Sequence, residues 1–188
     1  DEAGKAIVMR RENATTNNLT RLRIGGFRAL HYTGHGMPAC LAFEDDMGEM
    51  KALDVKALGE LFSAGGGMTV KFVFVSACHS ESAGNAFVDA GVPHVIAVRL
   101  NAQVNDKSSR LFTQNLYLAL LKGKTVEDAF DVAKKMVETD FQKDEAKKFL
   151  LLPANGNHKV KIFDGVKDGN NCKDAQPEDS LSFPSFAG

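Results

Sequence analysis

The chain has almost no net charge, with 23 Lys and Arg against 24 Asp and Glu over 188 residues. That removes any general electrostatic pull toward nucleic acid or a membrane surface. No apolar run approaches the ~20 residues that a membrane span needs, so neither nucleic acid nor membrane is expected as a direct partner. No secretory signal is visible, although the chain opens at Asp1 without a methionine, as a processed or partial piece would. Cysteine is scarce. Cys40, Cys78 and Cys172 form an odd set with no Cys-x-x-Cys. Such usage suits a reducing compartment, and a cytoplasmic location is the expectation. Two glycosylation triplets, Asn13-Ala14-Thr15 and Asn18-Leu19-Thr20, weigh little against it. There is no internal repeat, and no motif asks for a cofactor.

What is present is an alternation of strand-like and helix-like segments. Ala6 to Met9 is a short apolar run of strand type. Asn13 to Arg23 is polar with Leu19 and Leu22 three apart, a helix pattern that Gly25-Gly26 breaks. Phe27 to Tyr32 reads as a short buried strand. Ala39 to Met50 reads as a loop or hairpin, with Asp45, Asp46 and Gly48 as turn residues. Asp54 can cap a helix that presents Val55, Leu58 and Phe62 on one face. Val70 to Val75 is nearly all apolar, as in a strand buried on both sides. A helix over Ser82 to Ala90, closed by Gly91, leads to a strand over His94 to Val98. After a loop from Arg99 to Asn105 comes an amphipathic helix with Phe112, Leu116, Ala119 and Leu120 on one face. Thr125, with Asp128 three residues on, opens another helix. Phe149 to Pro153 and Val160 to Phe163 are strand or edge segments. Lys143 to Lys148 reads as a solvated helix face. Residues 164–188 read as a polar, loosely ordered tail on a domain spanning 1–163. The pattern is that of an α/β sandwich with a mainly parallel sheet.

Two segments carry chemistry. Leu30-His31-Tyr32-Thr33-Gly34-His35-Gly36 ends one strand, and Val73-Phe74-Val75-Ser76-Ala77-Cys78-His79-Ser80 ends another. Loops at the carboxyl ends of neighbouring parallel strands meet in one crevice. Cysteine attacks as its thiolate, and a following helix N-terminus and a nearby base favour that form. Cys78 is therefore a candidate nucleophile and His35 its base, with the amides of Gly36 and Cys78 as oxyanion donors. Each residue also has a plainer reading, Cys78 as a buried structural thiol and His35 as a turn histidine. His31 is expected to be a hydrogen-bonded core or rim residue. His79 is badly placed as a partner for its neighbour's thiol. A metal site from His31, His35, Cys78 and His79 is not expected, because the spacing is not that of a helical zinc pair. Gly65-Gly66-Gly67 lacks the ending of a phosphate loop and reads as a turn.

His35 precedes Cys78 by 43 residues, close to the caspase arrangement, in which the histidine lies about 50 residues upstream. The chain resembles the caspase-like cysteine peptidases, and more closely the CHAT domain among them. His31 to Gly36 is similar to the family's His-phi-x-Gly-His-Gly box, and Val73 to Cys78 to its strand followed by Ser-Ala-Cys. Gly91 with Val92 to Val98 resembles its Ala-Gly-x-x-x-Val-Ile-Ala strand. Val104-Asn105-Asp106, Phe112 and Tyr117 to Gly123 resemble the downstream pattern. Asn13-Ala14-Thr15 with Leu19, and Leu150 to Pro153 with His158, resemble its flanking segments. His31 to Gly36 and Cys78-His79-Ser80 also resemble metacaspases, but Ser76 stands where those carry an aspartate. The family's tryptophan before Val-x-Asp is absent, Ala102 being nearest.

The resemblance implies a caspase-like three-layer sandwich, lacking its first strand in this chain, and a cysteine endopeptidase acting on protein substrates through Cys78 and His35. It implies Ser76 and Asp106 as possible contributors to the substrate pocket, with Asp106 facing a basic P1 side chain. Asp106 capping the helix that follows is the competing role. A fused or partner regulatory region, of the repeat or sensor kind to which such domains are commonly fused, is expected, with low activity for the piece by itself. The alternatives are a catalytically silent CHAT-like binding or regulatory module and a small-molecule thiol hydrolase or transferase.

Overall fold

The computed structural model describes residues 7–66 and 69–164. Thr15 opens α1 (Thr16–Ile24), its hydroxyl accepting from Asn18 N–H at 3.1 Å. Strand β1 (Ala29–Thr33) follows, then β2 (Gly36–Met37), β3 (Cys40–Glu44) and β4 (Met50–Asp54). Asp54 caps α2 (Val55–Ser63) by accepting from Lys56 N–H at 2.8 Å. The rest alternates: β5 (Phe72–Ser76), α3 (Glu81–Asp89), β6 (His94–Val98), α4 (Asp106–Leu121), α5 (Val126–Asp140), α6 (Lys143–Ala146) and β7 (Phe149–Leu152).

The main sheet has the order β1-β5-β6-β7, with β1, β5 and β6 parallel and β7 antiparallel. Strand side chains alternate between faces, so the apolar β5 and β6 feed two cores. Val73, Val75, Val95 and Ala97 pack with Leu58, Phe62 and Phe87 from α2 and α3. Phe72, Phe74, Ile96 and Val98 pack with Phe112, Leu116 and Phe130 from α4 and α5. Phe112 lies flat on Phe149, centroids 3.9 Å apart. Each fully buried Phe contributes roughly 1.5–3 kcal/mol, which makes the two central strands the most firmly held part of the sheet. Helix α3 rides close on it, because a Cβ on Gly84 would lie 2.8 Å from the Ala97 Cβ. This is the caspase-like α/β sandwich that the sequence implies.

The structure departs from the sequence reading in several places. Residues 7–9 form no strand; Val8 and Met9 are exposed, and an apolar tripeptide paired with no described strand gains nothing by extending. The Ala39 to Met50 hairpin belongs to a second, antiparallel sheet of order β2-β3-β4, turned by Asp45, whose Oδ1 accepts from Met47 and Glu49 N–H at 2.8 and 2.9 Å. Strand β1 lies at the sheet edge, so of its side chains only Tyr32 is buried. Val160 to Phe163 makes a single bridge, Thr125 to Lys161, instead of a strand. The tail beyond Asp164, with Cys172, lies outside the described residues. No helix among the described residues is long and apolar enough to cross a membrane.

Candidate active site

Adjacent parallel strands set the site. Thr33 of β1 is in register with Ser76 of β5, and two residues beyond each come His35 and Cys78. The loops touch through backbone. A Cβ on Gly36 would lie 2.2 Å from the Cys78 carbonyl oxygen and 3.0 Å from the Ala77 Cβ, so only glycine allows this approach, and small Ala77 belongs to the same fit. Two residues earlier, a Cβ on Gly34 would meet the Tyr32 hydroxyl at 2.7 Å. Both glycines around His35 thus answer to close contacts.

His35 is exposed and held through its carbonyl, which accepts from Ala42 N–H at 3.0 Å and from the Tyr32 hydroxyl at 3.1 Å. The same hydroxyl lies 2.5 Å from the Ala42 carbonyl. Burial pushes the Tyr32 phenol up to about 12, the bond to Ala42 acting against it, so Tyr32 stays a donor at any ordinary pH. The Ala42-to-His35 bond marks those two as a bonded pair. The next pair, Gly36 with Leu41, is then a non-bonded one, because the two kinds alternate in an antiparallel ladder. The Gly36 N–H therefore turns away from β3.

Cys78 is half-buried with a free thiol. The turn that carries it is tied on several sides. Ser80, fully buried, donates to the Val75 carbonyl at 3.0 Å and accepts from Val98 N–H at 2.9 Å. His79 N–H donates to the Ala102 carbonyl at 3.2 Å, and His79 Nδ1–H to the Leu100 carbonyl at 2.5 Å. Glu81 Oε2 accepts from Leu100 N–H at 2.8 Å. Helix α3 starts at Glu81, three residues past the thiol.

Ser76 shares a hydrogen bond of 2.9 Å with Ser109 of α4. Asp106 is exposed in the first turn of α4, and the capping role belongs to Asn105, whose Oδ1 accepts from Lys107 N–H at 2.9 Å. Capping by Asp106 is thereby corrected: Asn105, one residue earlier, has the extended backbone a cap requires. Arg99 donates from Nε to the Lys147 carbonyl at 3.0 Å.

His31 stands at the sheet rim, one of the two places expected, but its ring is stacked, on Phe74 at 4.6 Å and Tyr117 at 5.5 Å, and desolvation of the ring by this packing lowers its pKa to about 4. Among the described residues no three His, Cys, Asp or Glu side chains gather as a metal site. The groove between α2 and α3, lined by Val55, Gly59, Ala86 and Ala90, contains none of the site residues.

The sequence reading missed the Tyr32 hydroxyl, Ser109, Glu81 and a polar anchor beneath the loop before α4. Glu145 Oε1 accepts from Asn105 N–H at 2.9 Å and from the Ser108 hydroxyl at 2.6 Å. Glu145 also pairs with Lys148, which donates to the Gln103 carbonyl at 2.7 Å. Burial raises the Glu145 pKa, but the bonds from Lys148, Ser108 and Asn105 outweigh it and hold the carboxyl below its ordinary range. So Lys143, Asp144 and Lys147 are exposed as a solvated face, while Glu145 and Lys148 of the same run form a structural anchor instead. The one signal for it was an acid and a base three apart directly before a strand.

The family model for the CHAT domain matches residues 2–164. No curated protein matches the chain.

Proposed function

Because the chain belongs to the CHAT domain family, a family of caspase-like fold, we propose that it is a cysteine endopeptidase with Cys78 as nucleophile and His35 as acid–base. The observation that carries this reading is the contact between the two loops, His35 and Cys78 each two residues past a registered pair and Gly36 against the Cys78 carbonyl.

In this reading Cys78 Sγ, as thiolate, attacks the scissile carbonyl carbon. The oxyanion that forms is met by the Gly36 and Cys78 N–H groups, each such donor being worth ~3 kcal/mol. His35 gives a proton to the leaving amine, the C–N bond breaks, and a thioester remains on Cys78. Water, losing a proton to His35, then attacks the thioester and releases the acid and the thiolate. The free Gly36 N–H supports the oxyanion role.

The substrate is a protein. We assign the P1 pocket to the side of Ser76 and Asp106: Ser76 with Ser109 forms a neutral polar wall, and Asp106 supplies the acid at its mouth for a basic side chain. A fused or partner regulatory region controls access. The reaction needs a reduced thiol at Cys78, which a cytoplasmic setting supplies.

The test is hydrolysis of a denatured protein substrate by wild type and Cys78→Ala. Loss of cleavage in the variant is expected. Undiminished cleavage by Cys78→Ala would remove the peptidase reading, and a wild type that cleaves nothing yet captures a partner would favour a silent binding module.

A further inference from the structure

We propose that His79 is the positioning residue for Cys78, holding the thiol's peptide frame between the His35 loop and the loop before α4. The inference rests on the reading of Cys78 as the nucleophile.

Among the described residues His79 alone, apart from glycines, has a positive φ, at 57°. Six described glycines take the other positive-φ positions. A left-handed backbone is disfavoured for a residue with a Cβ, and this chain otherwise uses glycine for it. A histidine there is explained by what its ring does. Nδ1–H donates to the Leu100 carbonyl at 2.5 Å, while the N–H of Leu100 is taken by Glu81 Oε2 at 2.8 Å. Both peptide groups of Leu100 are thus gripped by residues immediately following Cys78.

The Cys78–His79 peptide itself spans the site. Its carbonyl oxygen faces Gly36, where an added Cβ would come within 2.2 Å, and its N–H donates to the Ala102 carbonyl at 3.2 Å. A trans peptide points these two groups in opposite directions, so one peptide unit braces the loop carrying His35 against the 99–102 loop. The left-handed turn at His79 sends the chain into α3 while keeping that orientation. The bond from the ring to Leu100 holds His79 in that turn. Its task is to fix where Cys78 stands, and strained residues held by their surroundings recur at such sites.

The test uses the full chain with His79→Ala, His79→Gly and His79→Asn. Alanine loses the ring bond and disfavours the backbone. Glycine keeps the backbone and loses the bond. Asparagine tolerates the left-handed region and retains a donor. Two readouts are taken: kcat and KM for peptide cleavage, and the rate of iodoacetamide modification at Cys78 against Cys40, resolved by peptide mass spectrometry. His79→Ala should lower kcat about tenfold with KM nearly unchanged, a scale that small misplacements reach. It should also slow alkylation at Cys78 and leave Cys40 as in wild type. His79→Asn should recover most of both losses, and His79→Gly less. A His79→Ala protein with wild-type melting temperature and Cys78 alkylation within about twofold of wild type would overturn the proposal. If His79→Ala does not fold, a folded His79→Gly with wild-type kcat and alkylation overturns it equally. A wild type without peptidase activity, in which His79→Ala still slows Cys78 alkylation, would keep the positioning role and remove the peptidase reading instead.

Discussion

The loop bearing His35 and the turn bearing Cys78 end neighbouring strands, yet they are held in opposite ways. The Cys78 turn is gripped through backbone and side chains, by Ser80 to Val75 and Val98, by His79 to Leu100 and Ala102, and by Glu81 to Leu100. The His35 loop is fixed through its backbone, by Gly34 N–H to the Ser76 carbonyl at 3.4 Å and by Ala42 and Tyr32 to the His35 carbonyl, and leaves the ring exposed between two glycines. A nucleophile has one position to hold, whereas an acid–base must reach first a leaving amine and then a water. The contrast suits those two tasks, and it identifies which substitutions separate them.

The largest effect is expected from removing the reacting groups. Cys78→Ala should abolish peptide cleavage, and His35→Ala should lower it at least ~100-fold, the usual scale of general acid–base assistance. Both proteins should keep wild-type circular dichroism, since neither side chain is buried in either core. Gly36→Ala comes next, because its Cβ would collide with the carbonyl of Cys78 itself. Pushing the two loops apart should reduce kcat and cost about 1–3 kcal/mol of stability, read by urea unfolding. If Gly36→Ala is fully active, the backbone contact between the loops is not what assembles the site.

Glu145 lies on the Cys78 side of the comparison, beneath the loop that His79 grips. Its pKa is depressed in the folded protein. Its contribution is therefore present above the unfolded value, 4.5, and is lost as pH falls through the lower folded value. Glu145→Gln should lose about 1–2 kcal/mol near neutral pH, with the difference from wild type shrinking as acid protonates the native carboxyl. Thermal unfolding of both proteins from pH 7 to pH 3 reads this directly. On the His35 side, Tyr32→Phe removes one hydroxyl and should cost about 1 kcal/mol, with a few-fold fall in kcat as the His35 carbonyl loses a donor. The smallest effect belongs to Asp106→Asn. A preference for Arg or Lys at P1 should weaken while melting temperature stays put, because Asn105 and not Asp106 caps α4. A lowered melting temperature with an unchanged P1 profile would assign Asp106 to the helix terminus alone.

Much of this was legible in the residues. Val73 to Val75 and Val95 to Val98 are apolar on consecutive positions, and that alone predicts strands covered on both faces. Asp54 and Thr125 mark their helices through caps that need only local sequence. The His35 and Cys78 segments stand out because glycine or small residues flank a reactive side chain at a strand end. What the sequence left hidden depends on contacts between distant segments. The turn residues of the Ala39 to Met50 hairpin show in the sequence, but its second strand running on to Asp54 and its pairing with Gly36 and Met37 as a separate sheet do not. Glu145 becomes an anchor only when Asn105 and Ser108, 40 and 37 residues away, fold onto it. The left-handed backbone of His79 could not be foreseen, since glycine is the residue that ordinarily signals it.

The central claim is that Cys78 is a nucleophile served by His35. The most direct measurement is covalent labelling by a peptide-based thiol electrophile, with the labelled residue identified by mass spectrometry in wild type and in His35→Ala. Labelling at Cys78 in wild type, with Cys40 left unlabelled and the Cys78 signal lost in His35→Ala, is the result expected. Equal labelling of Cys40 and Cys78 that is indifferent to His35→Ala would contradict it.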